Sequence, residues 1–260
     1  MTIITLTTDF GSRDPFVGVM KGVILGINRR VHLVDLTHEI APHDVLEGAL
    51  ALEAAVPFFP PGTIHVAVVD PGVGSNRRAL ALAARGQQFV GPDNGLFTFL
   101  LGEPGWRAVA LENSAYALPG VSQTFHGRDR FAPAAAHLST GVSLESLGPS
   151  ASDPVRLPWP EARREGEHLV GEVIHIDRFG SLLTSVRAED VESLGPPGGV
   201  TVEVAGRLVQ GLCRSYVDRR AGECGAIIGS SQRLEIFARE ASARAALGAE
   251  RGTPVRLWKR

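Results

Sequence analysis

The feature that most constrains this chain is the alternation of strand and helix signals through its first 150 residues. A β-rich run, Ile3 to Thr8, leads into a stretch with helical periodicity, Phe16 to Ile27, which together read as a βα unit. Val31 to Leu36 reads as a second strand and Asp44 to Phe59 as a helix. Thr63 to Val69 is an apolar, β-branched third strand of the kind buried on both faces. Such alternation predicts a mainly parallel sheet covered by helices. From Gly148 to Glu167 the chain becomes rich in Pro, Ser, Arg and Glu and loses its periodicity, the texture of a boundary. The reading is an N-terminal α/β domain over residues 1–155 and a smaller C-terminal domain over 166–260. The latter carries short runs (Leu169 to Ile176, Val200 to Val204, Gly225 to Ile228, Pro254 to Trp258) and one helix-like stretch near Ala241 to Leu247, and is expected to be β-barrel-like.

Composition narrows the function. Hydrophobic residues at 44% and charged residues at 21% suit a globular protein, and the longest apolar runs fall short of the roughly 20 residues that span a bilayer. The first strand begins at once, without a basic and apolar leader, so a cytoplasmic location is expected. With 26 basic against 28 acidic residues there is no electrostatic footprint for nucleic acid or an anionic membrane. Cys213 and Cys224 are too few for a disulfide scaffold.

Ligands of open parallel sheets bind beyond the carboxyl ends of the strands, and three predicted strands end near carboxylates: Asp9, Asp35 with His38, and Asp70. Taken alone, Asp35 and His38 read as a capped loop. Asp70 opens Asp70-Pro71-Gly72-Val73-Gly74, where proline keeps Asp70 extended and the glycines permit a reversal that returns Arg77 towards it. Four ionisable residues crowd His126-Gly127-Arg128-Asp129-Arg130, just before an apolar helix over Ala134 to Leu138. Gly91 to Gly95 reads as a turn into a helix capped by Asp93 or Asn94. No spacing of His, Cys or Asp suggests a metal site, and no glycine-rich phosphate loop follows a strand, so no metal and no cofactor are expected.

These segments together resemble the S-adenosyl-L-methionine (SAM) hydroxide adenosyltransferases and their relatives, the SAM-dependent fluorinase and chlorinase. The resemblance runs through Thr8 to Gly11, Leu36 to Ile40, Val69 to Gly74, Gly91 to Gly95, Phe125 to Asp129, Ile176 to Gly180 and Gly229 to Ser231. It implies a hydrolase trio of Asp70, Arg77 and His126, where the halogenating relatives carry Tyr in place of Asp70 and Ser in place of Gly127. It further implies that Asp9 holds the ribose hydroxyls, Asp177 the methionine ammonium and Ser230 the methionine carboxylate. Phe179 and Tyr216 would pack the adenine, and Ala238 and Glu240 would offer it backbone groups. Ser181 and Ser185 depart from the family's Asn, and His43 stands where the fluorinase has Trp. The resemblance also implies a homotrimer with sites at subunit interfaces.

The chemistry so implied is attack of an activated water on C5′ of SAM, giving adenosine and L-methionine. The sulfonium leaves as a neutral thioether, so the demand is for an aligned, deprotonated water rather than for an acid. Asp70 and His126 are both candidates for the base. A SAM-dependent halogenase and a non-catalytic SAM or adenosine binder are the alternatives.

Overall fold

A computed structural model describes residues 1–259. The chain divides into two compact units, Met1–Pro158 and a second from Trp159 onward. In the first, β1 (Thr2–Thr8), α1 (Phe16–Ile27), β2 (Val31–Thr37), α2 (Val45–Ala55) and β3 (Ile64–Val68) follow the βα rhythm, then come β4 (Ala79–Ala84), β5 (Gln87–Pro92), β6 (Arg107–Ala110) and α3 (Ala132–Ser139). The six strands form one sheet in the order β2-β1-β3-β5-β4-β6. Burial of Ile4, Thr5, Leu6, Thr7 and Thr8 along β1 marks a strand covered on both faces, and α1 turns Met20 and Ile24 into the same core. Asp44 caps α2 by accepting from the Glu47 N–H at 2.9 Å. The helix expected to run to Phe59 stops at Ala55 and tightens into a 3₁₀ turn at Val56–Phe58 around Pro57.

The expectation of a mainly parallel sheet holds for β2, β1, β3 and β5 and fails at β4, which runs antiparallel to both β5 and β6, so the sheet is mixed. The cause is a tight hairpin: Arg85 and Gly86 both have positive φ (53° and 72°), the geometry of a two-residue turn whose twist matches the flanking strands. The helix expected after Gly95 is likewise only a 3₁₀ turn, Thr98–Leu100, and neither Asp93 nor Asn94 caps it. Asp93 is instead buried, accepting from Arg78 Nε at 2.7 Å and from the Val155 N–H at 2.8 Å.

The second unit contains β7 (Arg163–Glu165), β8 (His168–Ile176), β9 (Leu182–Arg187), α4 (Ala188–Glu192), β10 (Val200–Val204), β11 (Arg207–Gln210), β12 (Cys224–Ile228), β13 (Arg233–Ala238), α5 (Ala243–Leu247) and β14 (Pro254–Lys259). Its strands pair in the order β11-β10-β14-β8-β9-β13-β12, with β7 added on β8. A parallel bridge from Leu212, just beyond β11, to Ala226 in β12 brings the two ends of this order together, so the sheet is nearly barrel-shaped. Alternating residues such as Val202, Val204, Leu234, Ile236, Val255 and Leu257 fill its interior.

Candidate active site

In the first unit, the loop after β3 brings Asp70 and Arg77 together. Arg77 Nε donates to Asp70 Oδ1 at 2.8 Å and an Nη2 hydrogen bonds Asp70 Oδ2, a bidentate pair. The reversal needs Gly74: its φ is 80°, and a Cβ there would lie 2.5 Å from the Gln123 carbonyl oxygen. Close packing of the two loops therefore depends on a bare backbone at this point. It also sets Arg77 beside His126, whose Nδ1 lies 2.7 Å from Arg77 Nη2. His126 immediately precedes a π-helical turn, Gly127–Phe131, that opens into α3; irregular turns of this kind recur where a side chain must be re-aimed for function.

The trio is well sequestered, with the Asp70 and Arg77 side chains only 5% and 10% exposed. A guanidinium can only donate, so Nδ1 of His126 accepts and its proton resides on Nε2. Burial, followed by the charges of Arg77 and Arg130, holds the His126 pKa below its ordinary value, outweighing Asp70 and Asp129. His126 is therefore neutral at neutral pH. A cavity of about 300 Å³ is lined by Asp9, Phe10, His43, Asp70, Phe125 and His126, among others. Asp9 Oδ2 accepts from the His43 N–H at 2.9 Å and supports that residue in a left-handed conformation, φ 70°. Gly127 adjoins the same cavity, and a Cβ there would come within 3.1 Å of Met20 Sδ and 3.2 Å of the Phe125 ring.

The Asp35 and His38 pair lies aside from this cavity. Asp35 accepts from Lys21 Nζ at 2.5 Å and lies 3.0 Å from His38 Nε2, while His38 Nδ1 meets Thr8 Oγ1 at 2.9 Å. Burial raises the Asp35 pKa, but the Lys21 and His38 hydrogen bonds prevail and hold it low. The arrangement fixes the end of β1, next to Asp9. Among the described residues, no group of three or more His, Cys, Asp or Glu is placed to hold a metal.

In the second unit, a larger cavity of about 670 Å³ is lined by Asp177, Phe179, Ser181, Tyr216, Ala238 and Glu240, with Val217, Phe237 and Arg239. Asp177 Oδ1 accepts from the N–H groups of Phe179 (2.9 Å) and Ser181 (2.8 Å), so the carboxylate shapes its own loop. Gly180, at φ 81°, lets that loop press on Ser242, where a Cβ would stand 2.1 Å from the hydroxyl oxygen. Phe179 is 79% exposed and Tyr216 is 49% exposed, leaving two aromatic rings uncovered. Tyr216 packs edge-on against Phe237 (centroids 4.9 Å apart) and donates to Glu235 at 3.1 Å.

Two expected residues stand apart from this cavity. Ser230 is in the hairpin turn between β12 and β13 and is absent from the lining, although the Glu235 carboxylate lies against neighbouring Gly229. Ser185 is buried within β9 and its hydroxyl accepts from the Glu172 N–H at 3.0 Å, so it serves the sheet. Conversely, Glu235 was not apparent from sequence. Its partner Tyr216 is 19 residues away, and only the register of β13 reveals the pairing.

Models of the SAM hydroxide adenosyltransferase N-terminal and C-terminal domains match residues 4–148 and 171–256. An (R)-S-adenosyl-L-methionine hydrolase of Thermus thermophilus is 43% identical, over 99% of this chain and 100% of that protein. A fluorinase of Nocardia brasiliensis is 31% identical over 92% of this chain and 91% of its own. Among solved structures, an uncharacterized conserved protein from Thermotoga maritima superposes with a TM-score of 0.92 at 32% identity, covering 100% of both chains. The two matched domains span both units and carry between them every element of the two cavities, and the chain belongs to the SAM hydroxide adenosyltransferase family.

Proposed function

We propose that this chain is a SAM hydrolase that uses water to displace methionine from C5′, forming adenosine. The observation that carries the reading is the hydrogen-bonded set Asp70–Arg77–His126, two members of which, Asp70 and His126, line a cavity that also presents Asp9. The name of the Thermus relative, which is more similar than the fluorinase, supports it.

The hydrogen-bond inventory suggests how the three side chains divide the work. With Nδ1 engaged by Arg77, His126 has an Nε2–H to offer and orients the water by donating to its oxygen. Asp70 is then the acceptor of the water proton, since each carboxylate oxygen keeps a lone pair beyond its bond to Arg77. Arg77 fixes both partners. As the O–C5′ bond forms, the C5′–S bond breaks, its electron pair goes to sulfur, and the sulfonium charge disappears. A sequestered site favours that loss of charge, and alignment supplies much of the acceleration.

Asp9 is assigned to the ribose hydroxyls, and Asp177 to the methionine ammonium through Oδ2. Phe179 and Tyr216 would sandwich or flank the adenine, with Ala238 and Glu240 meeting its edge by backbone groups and Ser181 adding a hydroxyl contact. Ser230 is retained for the methionine carboxylate on the family resemblance alone. On the same ground we assign catalysis to the N-terminal domain (1–155) and completion of the SAM site to the C-terminal domain (166–260), in a cytoplasmic homotrimer with interfacial sites. The reaction is assigned without metal or cofactor, SAM being the substrate, with no nucleic-acid or membrane partner.

A halogenase is disfavoured because a halide would share its pocket with the Asp70 carboxylate, and because glycine stands at 127 where the halogenating relatives carry serine, whose Cβ would press on Met20 and Phe125 here. Incubating the purified protein with SAM and separating the products tests the proposal. Adenosine and methionine are expected with chelator present, and no 5′-halogenated nucleoside with fluoride or chloride. Intact SAM would leave only the binder, and activity lost to chelator and restored by a divalent ion would overturn the metal-free assignment.

A further inference from the structure

A second cavity in the first unit, of about 250 Å³, shares His126 with the one already described and is lined by Arg77, Arg78, Arg130, Asn76 and Gln123. Its three arginines are not equally occupied. Arg77 donates to Asp70, His126 and the Arg78 carbonyl. Arg78 is held by Asp93 and Asp153, at 2.7 Å each. Arg130 makes one long bond, Nη1 to the Leu111 carbonyl at 3.3 Å, and its Nε is buried without a protein partner. No carboxylate pairs with it among the described residues, and the one acidic residue lining the cavity, Glu112, is solvent-exposed. The Arg130 charge is felt by His126, whose protonation it opposes.

The Arg130 Nη2 has no protein partner among the described residues and, unlike Nε, is not sealed from solvent, and a forked cationic donor beside neutral amide donors is what a tetrahedral oxyanion satisfies. We propose that this cavity binds a small inorganic oxyanion, of the charge and size of sulfate or phosphate, with Arg130 as its principal ligand and the side chains of Gln123 and Asn76 as further donors. The site lies on the far side of His126 from the Asp9 and Asp70 cavity, and His126 is the one lining residue common to both, so the anion and SAM, placed as the proposed function has it, bind together.

Sulfate is the suitable probe, because its charge does not change with pH over the working range. Calorimetric titration of the full-length, SAM-free protein at constant ionic strength should show saturable binding of one sulfate per chain. Arg130→Gln should weaken it about 10- to 100-fold, the usual worth of a hydrogen bond to a charged group, and Arg130→Lys should recover part of the loss. Gln123→Glu, at an exposed position that folding tolerates, should weaken it as well by placing a like charge at the rim. Should Arg130→Gln fail to fold, Gln123→Glu decides. The dissociation constant of SAM should be the same with and without saturating sulfate. Non-saturable binding, sulfate affinity untouched by both variants, or competition with SAM would each overturn the proposal, and none of these depends on whether the chain hydrolyses SAM.

Discussion

The two cavities differ in how they use polar groups. In the first unit, Asp70, Arg77 and His126 are almost wholly buried and nearly every donor of Arg77 is committed, which fixes each group to within a hydrogen bond's tolerance. In the second, the rings of Phe179 and Tyr216 stand open, and Asp177 spends one carboxylate oxygen on its own loop. The first arrangement suits chemistry, which demands fixed charges away from water. The second suits recognition, where an uncovered apolar ring gains most from being covered. On this reading, substitutions in the first cavity depress turnover and those in the second depress affinity.

The largest effect is expected at Asp70. Asp70→Asn keeps the shape but removes the charge and the proton acceptor, and turnover should fall by about 10² to 10⁴ while SAM binding changes far less. Single-turnover rates and calorimetry separate the two; weakened binding with unchanged turnover would erase the contrast between the cavities. His126→Ala and Arg77→Ala should resemble it and be non-additive with it, because the three act as one hydrogen-bonded unit. Tyr216→Ala comes next, with SAM affinity falling roughly 10- to 100-fold, the worth of a base stacked on an aromatic ring, and turnover at saturation largely kept. Equal losses in kcat and affinity would mean that the second cavity also takes part in the chemical step.

The pH profile gives a subtler test. Protonating His126 would turn Nδ1 into a donor facing the donors of Arg77, so activity requires the neutral ring. Because burial and the neighbouring arginines lower its pKa, the neutral form persists below the ordinary value of 6.5, and activity should be lost only as pH falls through that lowered value. An acid limb above 6.5 would contradict the assignment. The smallest effect is expected for Ser230→Ala, a few-fold in SAM affinity at most, since this residue is outside the cavity lining. Subunit mixing examines the assembly: at sub-saturating SAM, Asp70→Ala chains (slow in turnover) and Asp177→Ala chains (weak in binding) should regain part of the activity together if each site draws on two subunits, and an active monomer in sedimentation would refute the trimer.

What could be read from sequence was largely what is local. The βα rhythm of Ile3 to Val69 shows in periodicity, and the Asp70 to Gly74 loop carries in its own residues the proline and glycines that return Arg77 to the carboxylate. The β4–β5 hairpin was missed because Arg85-Gly86 is a weak turn signal between apolar runs that also fit a helix. Asp93 was misread as a cap because its partners, Arg78 and Val155, lie 15 and 62 positions away. The tautomer of His126 and the isolation of Arg130 depend on spatial neighbours that no short motif contains. The family resemblance supplied names for ligand contacts, but it gave no hint that Ser185 would be consumed by the sheet.

Running the reaction in water enriched in ¹⁸O, with mass analysis of both products, tests most directly whether water attacks C5′. The account predicts one heavy oxygen in the 5′-hydroxyl of adenosine and none in methionine. Adenosine formed without the label, or label in methionine in its place, would contradict it.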